Sequence, residues 1–537
     1  MLIILSNATI ESLVIKVSKN IEKEIMVVPG YNTWVQELIT AQFSGSKPEA
    51  VFLVLYGREL IGDAASSDWE EVKLTLDQYL GTIKTFTEGH KDIPLFVSSL
   101  DIQHDKILPF TSSRLEHKIE SYWISGLEEM SVPILEIAEI ARNMGRDKFY
   151  SKRMWYLGSI PFSMSGEKAI AEEIARAWNA LKGNRKKCLV LDLDNTLWGG
   201  VIGEDGLQGI ELSTTKEGSR FRDFQKRIKD LKDQGVLLTV VSKNNEEDAL
   251  EAIREHPDMV LREDDFVIIK ANWEPKAVNI QNIAKELNIG LDSLVFIDDN
   301  PIERESVKNT FPEVNVPDFP KDTSMLESFA IEISKRYFPV LKITDEDLNK
   351  TDQYKVEQKR NEIKQKSISI EEYLESLEMR KTFRQIDESD VTRAAQLTQK
   401  TNQFNLTTRR YTESDIWNMM RSEDYQVWIG ELEDKFGSYG KVILAIVKFE
   451  ENTAIFDTFL MSCRVMGRNI EKEFLDGIEK EMISKGKSKI IAEYIPTPKN
   501  SVVKDFWIQN GYVELNKKND SLTFEKSKNK FAEVFDI

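Results

Sequence analysis

The stretch Cys188-Leu-Val-Leu-Asp-Leu-Asp-Asn-Thr-Leu-Trp-Gly-Gly200 decides the fold of the central part of the chain. Its apolar half predicts a buried strand over Cys188–Leu193, and its polar half begins where that strand ends. Apolar runs and amphipathic stretches alternate after it, which predicts a doubly wound parallel sheet. The further predicted strands are Val236–Val241, Phe266–Ile269 and Leu294–Ile297, and the predicted helices are Ser219–Gln234, Glu246–His256 and Lys276–Leu287.

Carboxylates follow the first and the last of these strands. Asp192 and Asp194 lie at the end of the first, and Asp298 and Asp299 lie at the end of the last. Open α/β sheets bind ligands at the carboxyl ends of their strands, and Mg²⁺ prefers oxygen ligands. We therefore predict a magnesium site in which one carboxylate attacks phosphorus and the carboxylate two residues on transfers protons. The sequence leaves open which of Asp298 and Asp299 touches the metal.

Two further positions predict a phosphate site. Ser242 follows the second strand and leads through Lys243-Asn244-Asn245 into a helix, so its hydroxyl and the nearby amide groups can hold phosphoryl oxygens. Lys276 follows Pro275 at the start of a helix, where a cation opposes the helix dipole. A bound phosphate or carboxylate would explain a lysine at that position.

These motifs, in this order, resemble those of the haloacid dehalogenase-like (HAD-like) phosphatase superfamily. The resemblance implies that Asp192 is the nucleophile and that Asp194 is the acid and base, reaching the metal only through its backbone carbonyl. The residues that it implies in binding phosphate are Ser242, Asn244 and Lys276, and those that it implies in binding Mg²⁺ with Asp192 and Asp194 are Asp299 and Asp298. The gaps Leu197–Thr215 and Ser242–Lys276 are too short for a cap domain, so we expect an open site that accepts a large or carrier-bound substrate.

The C-terminal part of the chain predicts an α+β domain. The predicted strands are Val442–Phe449, Ile455–Leu460 and Lys489–Ala492, and the predicted helices are Ile470–Ser484 and Ser501–Gln509. The turn Ser462-Cys-Arg-Val-Met-Gly-Arg-Asn469 joins a strand to a helix, which is a geometry that binds anions.

Cys463 lies in that turn, close in sequence to Arg464 and Arg468. A helix amino end and neighbouring arginines lower the pKa of a thiol, so we predict that Cys463 is a nucleophile. All 4 histidines precede residue 257, so activation within this domain has to come from charge, from the helix end, from Asp457 or from another domain. Cys188 adjoins a predicted core strand and is expected to be structural.

The end of the chain resembles the N-acetyltransferase-like (GNAT) fold. Asn500, the pair Phe506-Trp507 and the pair Gly511-Tyr512 match that fold's asparagine, aromatic pair and glycine-aromatic ending. The turn around Gly467 resembles its coenzyme A pyrophosphate loop, but Asn469 stands where that loop has a small residue. We therefore do not expect ordinary use of acetyl-coenzyme A.

Several segments between roughly Lys187 and Tyr512 together resemble the FkbH-like family: Asp192–Gly200, Asp298–Arg304, Lys400–Tyr411 and Ser462–Arg468. Members join a HAD-like to a GNAT-like domain and load a glyceryl unit from 1,3-bisphosphoglycerate onto the phosphopantetheine thiol of an acyl carrier protein, a step of polyketide biosynthesis. The resemblance implies that Cys463 carries the glyceryl group as a thioester. The residues that we predict to bind the acyl group or pantetheine are Asn402, Arg464, Gly467, Arg468 and Asn500.

The first 183 residues predict a separate α/β domain. Strands predicted at Ala50–Tyr56 and Leu95–Leu100 alternate with helices predicted at Trp69–Lys84 and Glu167–Lys182. The domain resembles the SGNH-hydrolase-like fold. Its catalytic Gly-Asp-Ser and Asp-x-x-His motifs are replaced by 5–9 and 159–162, so we expect a non-catalytic role.

The predicted domains are 1–183 (SGNH-like), 184–340 (HAD-like), a charged and solvated helical linker over 341–368, and 369–537 (GNAT-like), which begins at a capping box of Ser369 and Glu372.

The charge of the whole chain argues against polyanionic partners. It has 72 Lys and Arg against 90 Asp and Glu, a net charge of -18 that disfavours nucleic acid and anionic membranes. The amino terminus lacks the layout of a secretory signal, and 2 cysteines suit a reducing compartment, so we predict a cytoplasmic enzyme. Two alternatives stay open: a phosphatase of carbohydrate or capsule synthesis that moves another acyl group, and a scaffold that binds carrier proteins.

Overall fold

The computed structural model describes residues 1–27, 31–41, 43, 47–62, 68–103, 115–348, 350–356, 360, 374–518 and 521–527. The chain divides into two compact units, Met1–Leu181 and Lys182–Ile537. The capping box predicted at Ser369 and Glu372 lies outside the described residues. Within the described ranges, no helix is long and apolar enough to span a membrane.

The first unit is built on a five-stranded parallel sheet with the order β2-β1-β3-β4-β5, which is the flavodoxin-like order. Its strands are β1 (Leu2–Ser6), β2 (Ile25–Val27), β3 (Ala50–Val54), β4 (Leu95–Ser98) and β5 (Ile134–Leu135). Its helices are Glu11–Ile21, Trp34–Thr40, Gly57–Ile61, Trp69–Gly89, Leu115–Glu129, Ile137–Met144, Arg146–Phe149, Lys152–Gly158 and Met164–Leu181. Every residue of β3 is buried, as expected of a parallel strand that is covered on both faces.

The two stretches that stand in place of SGNH motifs lie side by side in this unit. The amide of Thr9 donates a hydrogen bond to the carbonyl of Ser159 at 3.0 Å. Asn7 is buried, and its side chain bonds both the amide and the carbonyl of Tyr56. The parallel sheet and the helices of this unit confirm the α/β class predicted for residues 1–183, whereas the SGNH-like assignment stays a prediction.

The central part of the second unit contains a four-stranded parallel sheet with the order β8-β7-β6-β9. Its strands are β6 (Cys188–Leu191), β7 (Leu237–Ser242), β8 (Phe266–Ala271) and β9 (Leu294–Ile297). Its helices are Ile202–Gly209, Lys216–Asp233, Glu246–Glu255, Lys276–Glu286, Pro301–Thr310, Leu326–Tyr337 and Asp345–Leu348. Strand order reverses between β6 and β9, and a topological switch point of this kind is where open α/β sheets bind ligands.

The C-terminal part of the second unit is an eight-stranded mixed sheet with the order β10-β12-β13-β14-β15-β17-β16, in which β11 also pairs with β14. Only β14 and β15 pair in parallel among these described strands. The strands are β10 (Arg380–Gln385), β11 (Phe404–Asn405), β12 (Tyr425–Asp434), β13 (Gly437–Phe449), β14 (Thr453–Met461), β15 (Lys489–Tyr494), β16 (Val513–Lys518) and β17 (Ser521–Ser527). The helices are Val391–Lys400, Glu413–Arg421, Ile470–Ser484 and Phe506–Gln509.

Two predictions of local structure differ from what is observed. The helix predicted over Ser501–Gln509 is broken into a 3₁₀ turn, Ser501–Val503, and a short helix, Phe506–Gln509, because each piece is anchored separately. Trp507 donates to the carbonyl of Glu493, and the amide of Val503 donates to Asn500. The segment predicted as a solvated linker is helical over 345–348 and 350–356, yet Arg360 is only 2% exposed and pairs with Asp434.

Candidate active sites

The predicted phosphatase residues meet at the carboxyl edge of the central sheet. Asp192 follows β6 and Asp298 follows β9, and these two strands pair in register up to Leu191 and Ile297. Ser242 is the last residue of β7, and Lys276 is the first residue of its helix. The parallel register of the strands therefore brings four distant motifs to one edge of the sheet.

Lys276 lies at the centre of this site. Its Nζ is 2.8 Å from Oδ2 of Asp192 and 2.6 Å from Oδ2 of Asp298, and all three side chains are nearly inaccessible. The hydroxyl of Ser242 donates to Oδ1 of Asp192 at 2.7 Å. Burial raises the pKa of Asp192 to about 6 even though Lys276 opposes the rise. The ammonium group of Lys276 therefore lies next to Asp192, where it could balance the negative charge of a phosphoryl group.

Asp194 is held apart from that cluster. Its Oδ1 accepts from Trp198 Nε1 at 2.9 Å and from the amide of Ile202 at 3.1 Å, and its Oδ2 accepts from Asn244 Nδ2 at 2.9 Å. Three donors fix the carboxylate beside the cavity that contains Asp192. Among the described residues, the carboxylates close enough together to hold a metal ion are those of Asp192, Asp298 and Asp299, and the Asp194 side chain is not one of them.

Asp192, Asp298 and Asp299 have carboxylate oxygens within 4.8 Å of one another, a set that suits a hard cation. Asp298 is fully buried, with one oxygen bonded to Lys276 and the other to the amide of Asn300 at 2.9 Å. Asp299 lines the open cavity of about 320 Å³ that also contains Asp192 and Lys276, whereas Asp298 does not. Arg304 donates to the carbonyls of both aspartates and so fixes the turn that carries them.

Cys463 lies in a second cavity of about 430 Å³, away from this edge of the sheet. It begins a 3₁₀ turn, Cys463–Val465, that follows β14, while the long helix begins only at Ile470. The long helix begins at the predicted residue, Ile470, and Cys463 lies in the predicted turn before it, seven residues from the helix start. Its carbonyl accepts a hydrogen bond from Asn288 Nδ2 at 3.1 Å, which ties the cysteine turn to the central sheet domain.

The two arginines near Cys463 in sequence have other partners. Arg464 lines the cavity and bonds Gln353, whereas Arg468 is buried, donates to the hydroxyl of Tyr439 at 2.9 Å and stacks on its ring. Gly467 has a φ of 79°, which glycine adopts readily and which bends the chain between them.

Two asparagines that were predicted to contact an acyl or pantetheine group lie in different surroundings. Asn402 lines the cavity and accepts from Arg410 at 2.6 Å. Asn500 is fully buried, and its Nδ2 donates to the carbonyls of Asn405 and Ile495, both at 2.9 Å. Asp457 accepts from Arg409 and Tyr411 and is not among the residues that line the cavity around Cys463.

The chain itself fills the gap where β14 and β15 part. These strands pair only from Thr453 to Phe456 and from Lys489 to Ala492. Beyond that point, the amide of Leu406 donates to Phe459 at 3.1 Å, and the amide of Ile495 donates to Leu406 at 2.8 Å. The edge of β14 beyond Phe456 is therefore occupied by residues 404–406 of the chain itself.

The sequence did not indicate the basic residues that surround Cys463. Lys187 precedes β6, Lys350 lies in the helical stretch over 350–356, and Lys400 ends the helix Val391–Lys400, and all three line the cavity. The sequence feature that could have indicated them is the run of basic residues over 185–187. Such a run is equally typical of a solvated turn before a strand.

No protein-family model matches the chain, and no curated protein matches it. Among solved structures, the N-terminal part of the protein BF1531 from Bacteroides fragilis, which contains a phosphatase domain complexed with Mg, is 27% identical with a TM-score of 0.59. That match covers 64% of this chain and 94% of that chain. It supports the HAD-like prediction for the central domain.

Two acetyltransferases match the fold of a smaller part of the chain. Ribosomal-protein-S18-alanine N-acetyltransferase from Escherichia coli is 13% identical over 28% of this chain and 94% of that chain, with a TM-score of 0.23. The spermidine N-acetyltransferase SpeG from Vibrio cholerae is 13% identical over 28% of this chain and 95% of that chain, with a TM-score of 0.23.

Proposed function

We propose that the chain is a Mg²⁺-dependent phosphatase and acyltransferase that loads a glyceryl group onto an acyl carrier protein. Its substrate would be 1,3-bisphosphoglycerate, which carries both an acyl phosphate and a phosphate ester. The observation that supports the phosphatase half most strongly is the cluster of Asp192, Ser242 and Lys276 at one sheet edge. The likeness to the Mg-complexed phosphatase domain of BF1531 supports the same half.

In the phosphatase step, a carboxylate oxygen of Asp192 attacks the phosphorus of the ester and the bond from phosphorus to the alcohol oxygen breaks. Asp194 donates a proton to that leaving oxygen. Asp194 then removes a proton from water, the water attacks the aspartyl phosphate, and inorganic phosphate leaves Asp192 free again. Ser242 and Lys276 hold the phosphoryl oxygens throughout, as their contacts with Asp192 would allow.

The carboxylates of Asp192 and Asp299 fit a magnesium ion, and the ion would supply positive charge to the phosphoryl oxygens. Asp299 is the better ligand of the adjacent pair because it lines the cavity, while Asp298 is occupied by Lys276 and by the amide of Asn300. The backbone carbonyl of Asp194 would complete the protein ligands. In this assignment, Asp298 acts by holding Lys276 in place.

In the acyl step, the thiolate of Cys463 attacks the acyl carbon of the acyl phosphate. A carbon–sulfur bond forms, the bond from carbon to the phosphate oxygen breaks, and inorganic phosphate leaves. The phosphopantetheine thiolate of the carrier protein then attacks the thioester, so that the glyceryl group moves to the carrier and the Cys463 thiolate is regenerated. The half-buried position of Cys463 in an open cavity allows access by a small substrate and by a pantetheine arm.

Phosphate release from a simple phosphate ester with Mg²⁺ tests the phosphatase half. Asp192→Asn should lower the rate by far more than about tenfold, because the loss of a nucleophile costs several kcal/mol of barrier. Asp223→Asn is the matched control, since Asp223 is exposed and pairs only with Lys226 among its described contacts. Phosphate release by Asp192→Asn within about tenfold of the wild-type rate would overturn the aspartyl-phosphate mechanism.

A further inference from the structure

The cavity around Cys463 lies at the opposite edge of the central sheet from Asp192. It is lined by Lys187, which precedes β6, and by Asp292 and Ser293, which precede β9. Lys187 and Asp192 are five residue steps apart along an extended strand, a distance of about 16 Å. We call this cavity the basic cleft, and it is separate from the phosphatase site.

The basic cleft is strongly positive on an acidic protein. Of its described lining residues, nine are Lys or Arg and two are Asp, whereas the whole chain carries a net charge of -18. The cations come from the residues before β6, from the helical stretch over 350–356, from residues 393–410, from the cysteine turn and from Lys499. Such a concentration of one sign of charge in a concave site attracts anions.

The two acids of the cleft are already paired. Asp347 lies 2.9 Å from Lys400, and Asp292 lies 2.6 Å from Lys499. Among the described lining residues, these two acids balance only two of the nine positive charges.

Three cations of the basic cleft donate only to backbone carbonyls in the described part of the chain. Lys187 donates to Lys400 at 3.3 Å, Lys350 to Gly235 at 2.9 Å, and Arg185 to Gln234 at 3.2 Å. None of the three has an ion pair with a described carboxylate. Neutral acceptors orient these groups, while Asp347 and Asp292 act on their charges only from beyond ion-pair distance.

Because these three cations are buried, keeping them charged costs free energy unless an anion is bound beside them. Burial lowers the pKa values of Lys187, Lys350 and Arg185, and for Lys350 the neighbouring Lys400 and Arg185 lower the value further. Nη1 of Arg185 is a buried donor that has no hydrogen-bond partner among the described atoms. A buried cation that lacks a partner is destabilising, and a bound anion with several acceptor oxygens would supply what is missing.

We propose that the basic cleft binds the phosphate group of an organic phosphate beside Cys463, with Arg185, Lys187 and Lys350 as its ligands. The cleft volume of about 430 Å³ suits a small metabolite rather than a polymer. That this ligand is the acyl phosphate substrate rests on the proposed function, whereas the anion site itself rests on the charges.

This site would serve the acyl step twice. The cations that hold the acyl phosphate also hold the inorganic phosphate that leaves when the sulfur–carbon bond forms. Lys187 and Cys463 line the same cavity, so the positive charge of the lysine attracts the acyl phosphate to the sulfur. The phosphate ester, by contrast, has to reach Asp192 at the opposite edge of the sheet, so a glyceryl group cannot occupy both sites in one pose.

Alkylation of Cys463 tests the anion site without the reaction. The full-length protein in EDTA is treated with iodoacetate or with iodoacetamide, and mass spectrometry follows the peptide that contains Cys463. Cys188 is an internal control, because burial raises its pKa to about 12 and shields it. We expect the ratio of the iodoacetate rate to the iodoacetamide rate to fall about threefold or more in Lys187→Met and in Lys350→Met. Lys448→Met, which removes an exposed lysine elsewhere in the same unit, should leave the ratio unchanged.

Protection by inorganic phosphate provides a second measurement on the wild-type protein. Phosphate in the millimolar range should slow the alkylation of Cys463 by iodoacetamide, and Lys187→Arg should keep this protection while Lys187→Met loses it. Unchanged rate ratios in both methionine variants, or an absence of protection in wild type, would refute the anion site. Protection without any loading of a carrier protein would leave the site standing and refute the proposed function. Carrier loading with an unchanged KM in Lys187→Met would show that the substrate phosphate is not held there.

Discussion

Asp192 and Asp194 stand two residues apart, but their surroundings differ. Lys276 and Ser242 contact Asp192, while three neutral donors hold Asp194 beside the cavity. Asp194→Asn should therefore keep Mg²⁺ binding and lower turnover by about 10² to 10⁴-fold, the usual worth of a proton transfer. If hydrolysis slows more than phosphorylation does, intact-mass spectrometry will detect phosphorylated enzyme. Loss of Mg²⁺ binding in this variant would mean that the side chain coordinates the metal.

Asp298 and Asp299 are adjacent, and the structure separates two roles that the sequence left open. Because Asp299 faces the cavity, Asp299→Asn should weaken Mg²⁺ binding by more than about 100-fold, whereas Asp298→Asn should cost about tenfold by loosening Lys276. Titration calorimetry with Mg²⁺ measures both. The reverse order of the two affinities would show that the buried aspartate is the ligand.

The strands that carry the phosphatase motifs could be predicted because they are short apolar runs followed directly by polar residues. Strand β9 has the predicted bounds, and β8 extends two residues beyond its predicted end. By contrast, β10, with the sequence RKTFRQ, is mostly polar and only partly buried, so it gave no signal. Polar strands such as this one are recognised only when their partner is known, as with β12 here.

The segment between the central and C-terminal domains is anchored through Arg360. Its guanidinium bonds both oxygens of buried Asp434, at 2.8 and 2.6 Å, and stacks 3.9 Å from the ring of Tyr439. Arg360→Met should lower the free energy of unfolding of this part by about 3 to 5 kcal/mol, because it leaves the buried Asp434 carboxylate without a cation to balance its charge. Chemical unfolding followed by tryptophan fluorescence measures the change.

The matched control is Arg254→Met, which removes an arginine from the exposed pair with Glu263. That change should leave the free energy of unfolding almost unchanged, because both side chains of the pair are exposed to solvent. In the double variant Arg360→Met with Asp434→Leu, much of the lost stability should return, because no charge is left buried. A cost below about 1 kcal/mol for Arg360→Met alone would mean that the pair does not anchor the segment.

For the second unit as a whole, the sequence indicated the two residues that we propose to react, Asp192 and Cys463. It did not indicate that they lie at opposite edges of the central sheet. The motifs predicted Asp192 and Cys463 because each stands at the end of a strand. The basic cleft could not be predicted, because its cations come from positions as distant as 185, 350 and 400 and meet only when the two domains pack. Of the two arginines next to Cys463 in sequence, Arg464 lines the basic cleft, whereas Arg468 is engaged with Tyr439.

The central claim is that one chain transfers a glyceryl group through Cys463 to a carrier thiol, and the mass of the carrier protein tests it most directly. The enzyme, Mg²⁺, 1,3-bisphosphoglycerate and a phosphopantetheine-bearing acyl carrier protein are incubated together, and the intact carrier is weighed. We predict a glyceryl adduct that neutral hydroxylamine removes, that Cys188→Ala still forms and that Cys463→Ala does not form, although Cys463→Ala keeps its phosphatase activity. An undiminished adduct with Cys463→Ala, or none with the wild-type enzyme, would contradict the account.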